Sequence, residues 1–268
     1  MSLTTRVIDY VRSEVARWPD TANQETLNEH LRALSIWRSR MLANTYLQLE
    51  GTKIWGGPFA GMDYVRTATE GALIPRLLGT YESELHPHLA AFAREGMDHV
   101  IDVGCAEGYY AVGLARMMPQ TQIHAFDIDP KARAACAELA ARNGVADRVV
   151  IGGEFRPDGF EAFAGQRVLV LVDAEGAEVD ILRPDLSPAL AGMNLIVETH
   201  NVYRLNALET MVERFSPTHE ITRVDVQAKP MTGPPWLRAM PHLDQLLAVW
   251  EWRVRQTPWL VIRPKTSR

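Results

Sequence analysis

Val100-Ile-Asp-Val-Gly-Cys-Ala-Glu-Gly-Tyr-Tyr110 is the stretch that decides the fold. An apolar strand ends in an acid, passes through Gly104 and Gly108, and runs into a helix-like segment from Tyr110 to Met118. Glycine lets a backbone turn tightly and approach a ligand, because no Cβ stands in the way. In the dinucleotide fingerprint G-x-G-x-x-G, the second glycine makes room for a pyrophosphate that a helix N-terminus neutralises. Here Ala106 stands at that position, and Glu107 places a negative charge where the phosphate is expected. Both features oppose a pyrophosphate and suit a cofactor whose loop-facing end carries a cationic amino group.

Outward from this stretch, strand and helix alternate. Strands are predicted over 98–103, 122–127, 148–152, 167–173 and 194–199, and the clearest helices over 109–118, 130–142, 176–183 and 204–214. Val168-Leu-Val-Leu-Val172 and Leu195-Ile-Val197 are continuously apolar, as strands covered on both faces are. Such alternation implies an α/β fold with a parallel, doubly wound sheet. A further strand near 219–226, a proline-rich loop from Lys229 to Pro241, a helix around Leu243–Trp250 and a last strand, Trp259-Leu-Val-Ile262, follow.

Upstream, two helices are expected within residues 1–50. Val7, Ile8, Val11, Val15 and Trp18 share a helical spacing up to a break at Pro19-Asp20. Leu27, Leu31, Leu34, Met41, Leu42, Tyr46 and Leu47 share a second, with Gly51 as its C-cap. Their apolar stripes suit packing or a homodimer contact, with a lid over the substrate as the sharper reading. Residues 52–80 read as glycine-rich, strand-like pieces, and a helix is expected from Glu82 to Arg94. The domain reading is an N-terminal helical extension and cap over 1–80, then the cofactor-binding domain over 81–268.

Composition narrows the function. The chain has 268 residues, 47% apolar and 23% charged, with a formal charge of −5. Those values describe an ordinary globular protein with no basic excess for nucleic acid. Two cysteines, Cys105 and Cys136, are too few for a disulfide framework or zinc ribbon and fit a reducing compartment. With no signal-like apolar segment and no run near the roughly 20 residues that span a bilayer, a cytoplasmic location without membrane partners is expected.

Ligands of open α/β sheets bind outside the carboxyl ends of the strands. The residues there are Asp102, Gly104 and Gly108 after the first strand, Asp127 after the second, and Gly152-Gly153-Glu154 after the third. The fourth ends in Asp173-Ala-Glu-Gly-Ala-Glu178 and the fifth in Glu198-Thr-His200-Asn201. Asp127 lies about 25 residues beyond Asp102, near the spacing of a ribose-binding carboxylate. Asp129, before Pro130, reads as a helix cap. Glu178 reads as a helix residue facing solvent or an arginine, Cys105 as a small residue in a turn, and His124 as a buried, hydrogen-bonded histidine. His86 and His88 share no helix face and make a poor metal pair.

The set Asp102-x-Gly104-x-x-x-Gly108, Phe126-Asp127 and Asp173-Ala-Glu-Gly-Ala-Glu178 resembles class I S-adenosylmethionine-dependent methyltransferases, specifically the FkbM-like group. Leu78-Gly-Thr-Tyr-Glu82 resembles the segment that precedes the first strand in that group, and the similarity covers roughly residues 77–226. The resemblance implies a Rossmann-like, mostly parallel seven-stranded sheet with a final antiparallel strand. It implies S-adenosylmethionine contacts from Glu82, Asp102, Gly104, Cys105, Ala106, Gly108, Tyr109, Asp127, Ile128, Gly153, Glu154 and Asp173. Within that set, Asp102 would accept from the methionine amino group, Asp127 from the ribose hydroxyls, and Gly153 and Glu154 would border the adenine.

Transfer to a hydroxyl also requires orienting the acceptor and removing its proton. Asp173, Glu198 and His200 are the catalytic candidates. Glu198 and His200, two apart on a strand, point the same way. Together with Asp173 they are alternatively the ligands of Mg²⁺ or another hard divalent ion. The acceptor expected by analogy is a small molecule, a sugar or natural-product hydroxyl. The rival readings are a nicotinamide oxidoreductase and a non-catalytic cofactor-binding protein.

Overall fold

The apolar runs read as strands pair side by side, in the order β3-β2-β1-β4-β5-β7-β6. In the computed structural model, which describes residues 2–18 and 23–265, the break expected at Pro19-Asp20 lies outside the described residues. Chain order runs α1 (Leu3–Val15), α2 (Gln24–Leu49), α3 (Leu73–Leu78), α4 (His86–Glu95), β1 (His99–Val103), α5 (Tyr109–Met117), β2 (Gln122–Phe126), α6 (Pro130–Arg142) and β3 (Val149–Gly152). It continues through β4 (Val168–Val172), α7 (Glu178–Ile181), β5 (Asn194–Glu198), α8 (Ala207–Phe215), β6 (His219–Val224), α9 (Pro235–Arg238), α10 (His242–Val249) and β7 (Trp259–Pro264).

The first five strands are mutually parallel, and β7 runs antiparallel between β5 and β6. This is the Rossmann-like, mostly parallel seven-stranded sheet with an antiparallel strand that the resemblance implied. The register brings the carboxyl ends together: Val103 lies opposite both Phe126 and Val172, and Val172 opposite Val197. Because β7 is antiparallel, its first residue, Trp259, sits opposite Glu198. The segment leading into β7 is thereby delivered to the same edge.

Side-chain alternation splits the core in two. Ile101, Val103, Val168, Val170, Val172, Leu195 and Val197 pack with Phe160, Met211 and Phe215 on one face. Val100, Leu169, Leu171 and Ile196 face the other, with Tyr46, Phe59, Tyr64, Leu78 and Ala111. Segment 42–78 therefore covers this second face, and the same parity puts Asp102 beneath α5. Ile8, Leu27 and Leu31, at the outer end of α1 and α2, are exposed.

Local signals explain most boundaries. Asn23 caps α2 by accepting from Glu25 N–H at 2.9 Å, and Asp129 caps α6 through Lys131 N–H, also at 2.9 Å. Three expectations change. The helix expected from Glu82 begins at His86, because Glu82 is left-handed (φ 47°) and a 3₁₀ turn, Ser83–Leu85, intervenes. The helix expected over 176–183 is the single turn α7, because Glu175 and Gly176 are both left-handed. The strand-like pieces of 52–80 reduce to one bridge between Lys53 and Asp63, and Leu73–Leu78 is the helix α3.

Candidate active site

A cavity of about 1020 Å³ opens at the carboxyl edge of the sheet. That is at the upper end for small-molecule sites, with room for a nucleoside-sized cofactor and an acceptor. Gly104, Ala106, Asp127, Ile128, Gly153, Glu154 and Asp173 of the expected cofactor set line it, together with Glu198 and His200. Asp102, Cys105, Gly108, Tyr109 and Glu82 do not.

The turn after β1 is built by packing. A Cβ on Gly104 (φ 85°) would lie 1.8 Å from the backbone oxygen of Asp173, and one on Gly108 (φ 94°) would lie 2.8 Å from Cys136 Sγ. These glycines are required first by the close approach of β4 and α6, a reason the sequence did not disclose. Ala106 between them is also left-handed (φ 45°). Its N–H donates to Asp127 Oδ2 at 3.0 Å, and Asp127 Oδ1 accepts from Asp129 N–H at 2.8 Å. Asp127 thus holds the turn while presenting its carboxylate to the cavity.

Two acids read as ligand-facing are turned inward. Asp102 is 1% exposed, and neither of its oxygens makes a hydrogen bond of good geometry, the Ala111 N–H being the nearby donor. Burial, with a smaller push from Asp127, raises its pKa to about 7, against the opposing pull of the Ala111 N–H. Glu107 accepts from the Tyr64 hydroxyl and, at 3.1 Å, from Thr69 N–H, and it lies 3.9 Å from Arg76. Its charge is spent inside the protein, which corrects the reading that it faces a cationic ligand. Cys105 is buried in the turn, and Tyr109 packs edge-on against Phe59, Tyr64 and Tyr81.

Asp173, Glu198 and His200 do converge, with one ligating atom from each within 4.8 Å of the others. His200 Nε2 lies 3.6 Å from Asp173 Oδ1 and 3.6 Å from Glu198 Oε2. On the other side of the ring, Nδ1 is 3.6 Å from Glu178 Oε1. Glu178, expected to face solvent or an arginine, is fully buried and accepts the backbone N–H groups of His200 at 2.8 Å and Gly176 at 2.7 Å. Burial alone would lower the His200 pKa, but Glu178 and Glu198 outweigh it and hold the ring above its ordinary value. Burial and the neighbouring Glu198 raise Asp173 well above the carboxylate range.

Behind them stands a residue given no role from the sequence. Arg253 donates to Glu198, Glu82 and Thr257, and through Nε to Glu251 at 2.9 Å. Glu82 is fully buried behind this guanidinium and accepts from Tyr110, so it does not reach the cavity. Burial and Glu198 raise it to about 7, with Arg253 opposing. Lys229 ties Glu251, at 2.7 Å, to Glu84. The signal for Arg253 was Glu251-Trp-Arg253 itself, but only the antiparallel course of β7 reveals where that segment goes. His219, at the start of β6, is buried with Nε2 3.1 Å from the Met193 carbonyl oxygen.

Over the whole cavity, nine acidic side chains stand against four arginines, so its walls favour a cationic guest. The three candidate ligands come close enough together for a metal ion. However, Glu198 is already paired with Arg253, so the set does not fit a divalent ion without displacing the guanidinium.

No known family model matches the chain. It is 33% identical over 154 residues to the release factor glutamine methyltransferase of Synechocystis sp., covering 55% of this chain and 45% of that one. It is 27% identical over 170 residues to the ribosomal protein L11 methyltransferase of Methylococcus capsulatus, covering 60% and 56%. The chain thus spans about half the length of the curated relatives it matches. Among solved structures, an O-methyltransferase from Bacillus cereus in complex with SAH aligns over 98% of this chain and 100% of that one, at 12% identity and a TM-score of 0.46. No helix among the described residues is long and apolar enough to cross a membrane.

Proposed function

We propose that the chain is an S-adenosylmethionine-dependent methyltransferase acting on a hydroxyl of a small molecule. One observation carries this reading: an acid-rich cavity at the carboxyl edge, walled by Asp127 and the Gly104–Ala106 turn. An adenosyl sulfonium brings two positive charges, and this wall receives them. A nicotinamide dinucleotide brings a pyrophosphate, which the same carboxylates repel. The curated relatives, methyltransferases by name, support the same direction.

Within this reading Asp127 takes the ribose hydroxyls, Gly153 and Glu154 border the adenine beside Ile128, and the Gly104–Ala106 turn lies along the methionine portion. Val202, Tyr203 and Val254, exposed at the cavity mouth, form an apolar rim for the acceptor. The hydroxyl oxygen attacks the methyl carbon in line, the O–C bond forms, and the S–C bond breaks with its electron pair remaining on sulfur. The proton passes to His200 Nε2, and Glu178 and Glu198 stabilise the imidazolium that results. Asp173, 3.6 Å from His200 Nε2, orients the acceptor. His200 serves as the base without a metal, because Arg253 already supplies the cation beside Glu198.

The preference for a sugar or natural-product hydroxyl rests on the FkbM-like resemblance. The acidic mouth, with Glu70, Glu175 and Asp180, disfavours a nucleic-acid acceptor. The exposed strip of Ile8, Leu27 and Leu31 is where self-association is expected. The test is S-adenosylhomocysteine release by purified protein across sugar and polyol acceptors, with and without EDTA. Acceptor-dependent release that EDTA spares is the expected result. Tight cofactor binding without release from any acceptor would favour the non-catalytic alternative.

A further inference from the structure

Arg76 stands apart among the cations of the cavity. It is 8% exposed, yet it lines the wall beside Gly71, Tyr81, Gly104 and Ala106. Its guanidinium carbon rests 4.2 Å from the centre of the Tyr81 ring. Nη1 donates to the Glu70 backbone oxygen, Nε has no partner, and Nη2 donates to nothing among the described residues. The nearest carboxylate, Glu107, is 3.9 Å away and already accepts from Tyr64 and Thr69.

Arg253, the other interior arginine, has all three nitrogens engaged. Arg156 and Arg255 are exposed at the rim. The Nε of the Arg76 guanidinium is buried with no hydrogen-bond acceptor, and Nη2 has none among the described residues either, so two of its three nitrogens are free to donate. An anionic group of the ligand would accept from them.

Resting on the adenosyl-sulfonium reading above, we propose that Arg76 binds the α-carboxylate of the cofactor's methionine end. That carboxylate is the one anionic group of such a cofactor, and a planar fork of N–H donors matches its two oxygens. It would sit beside the turn after β1, where the methionine portion is placed. Glu70 and Glu175 line the same cavity, and in this assignment they would receive the ammonium group of the same amino-acid end. An arginine and a carboxylate side by side thus form a receptor for a zwitterion. The inference also gives α3, which the sequence left without a role, its place in the site.

The test is calorimetric titration of the full chain with three ligands: S-adenosylhomocysteine, its decarboxylated analogue, and 5′-methylthioadenosine, which lacks the whole amino-acid end. The wild type is expected to prefer S-adenosylhomocysteine over the decarboxylated analogue by about 30-fold, the scale of a charged hydrogen-bonded pair. Arg76→Met should abolish that preference while binding 5′-methylthioadenosine as the wild type does, and Arg76→Lys should fall between. Equal loss of all three ligands in Arg76→Met, or an unchanged preference, would overturn the assignment. If the variants do not fold, equal wild-type affinities for the first two ligands overturn it, and a large difference supports it. A wild type that binds none of the three refutes the adenosyl reading itself, a result distinct from loss of carboxylate selectivity.

Discussion

Asp127 accepts the Ala106 N–H at 3.0 Å, tying the end of β2 to the turn that follows β1. One carboxylate therefore both holds a left-handed alanine in place and faces the cavity. Its two roles cannot be lost separately.

Asp127→Ala should weaken S-adenosylhomocysteine binding by about 2 kcal/mol or more, roughly 30-fold, from lost hydrogen bonds to a charged group and a loosened turn. Equilibrium titration checks this, and an unchanged Kd would remove Asp127 from the site.

His200→Ala should leave cofactor affinity within a factor of a few and lower turnover by about 100-fold or more, the scale of a positioned general base. Turnover should rise with pH as the ring, held above its ordinary value by Glu178 and Glu198, loses its proton. Glu178→Gln removes one of those negative charges, so the rising limb should move to lower pH. A limb in the same place in both proteins would exclude His200 as the titrating group.

Arg253 supplies the cation of the acidic cluster, so EDTA dialysis should not slow turnover. Arg253→Met leaves Glu82, Glu198 and Glu251 without their common partner. A loss of about 3–5 kcal/mol of stability is expected from breaking a buried ion pair. Urea unfolding measures it, and a variant as stable as the parent would show that the cluster is balanced some other way.

Asp102 carries a stability signature. Its pKa is about 7 in the fold, against an ordinary 3.8. The folded state binds this proton more tightly than the unfolded chain. Its contribution is therefore present below about pH 4 and is lost as pH rises towards 7, by at most about 4 kcal/mol. Asp102→Asn should flatten the decline of unfolding free energy over that interval. Parallel declines in parent and variant would contradict the assignment.

Much of this architecture was legible in the chain. Strands β1, β4 and β5 are largely apolar runs bounded by turn residues, and their burial on both faces is what makes them conspicuous. The catalytic candidates were legible for the same reason, since strand ends meet at one edge and Asp173, Glu198 and His200 stand at the ends of β4 and β5. What the sequence could not show was direction. Asp102 and Glu107 are acids of the glycine turn after β1, but strand parity and the presence of Tyr64, Thr69 and Arg76 turn them inward. Arg76 and Arg253 were missed because each comes from a distant segment, and only the folded chain brings Arg76 to the cavity wall and Arg253 to Glu198.

The most direct test of the central claim is calorimetric titration of the purified chain with S-adenosylhomocysteine and, in parallel, with NADH. Saturable binding of S-adenosylhomocysteine with a Kd on the order of micromolar, weakened by Asp127→Ala, and no heat from NADH is the result the account predicts. Saturable binding of NADH with none of S-adenosylhomocysteine would contradict it.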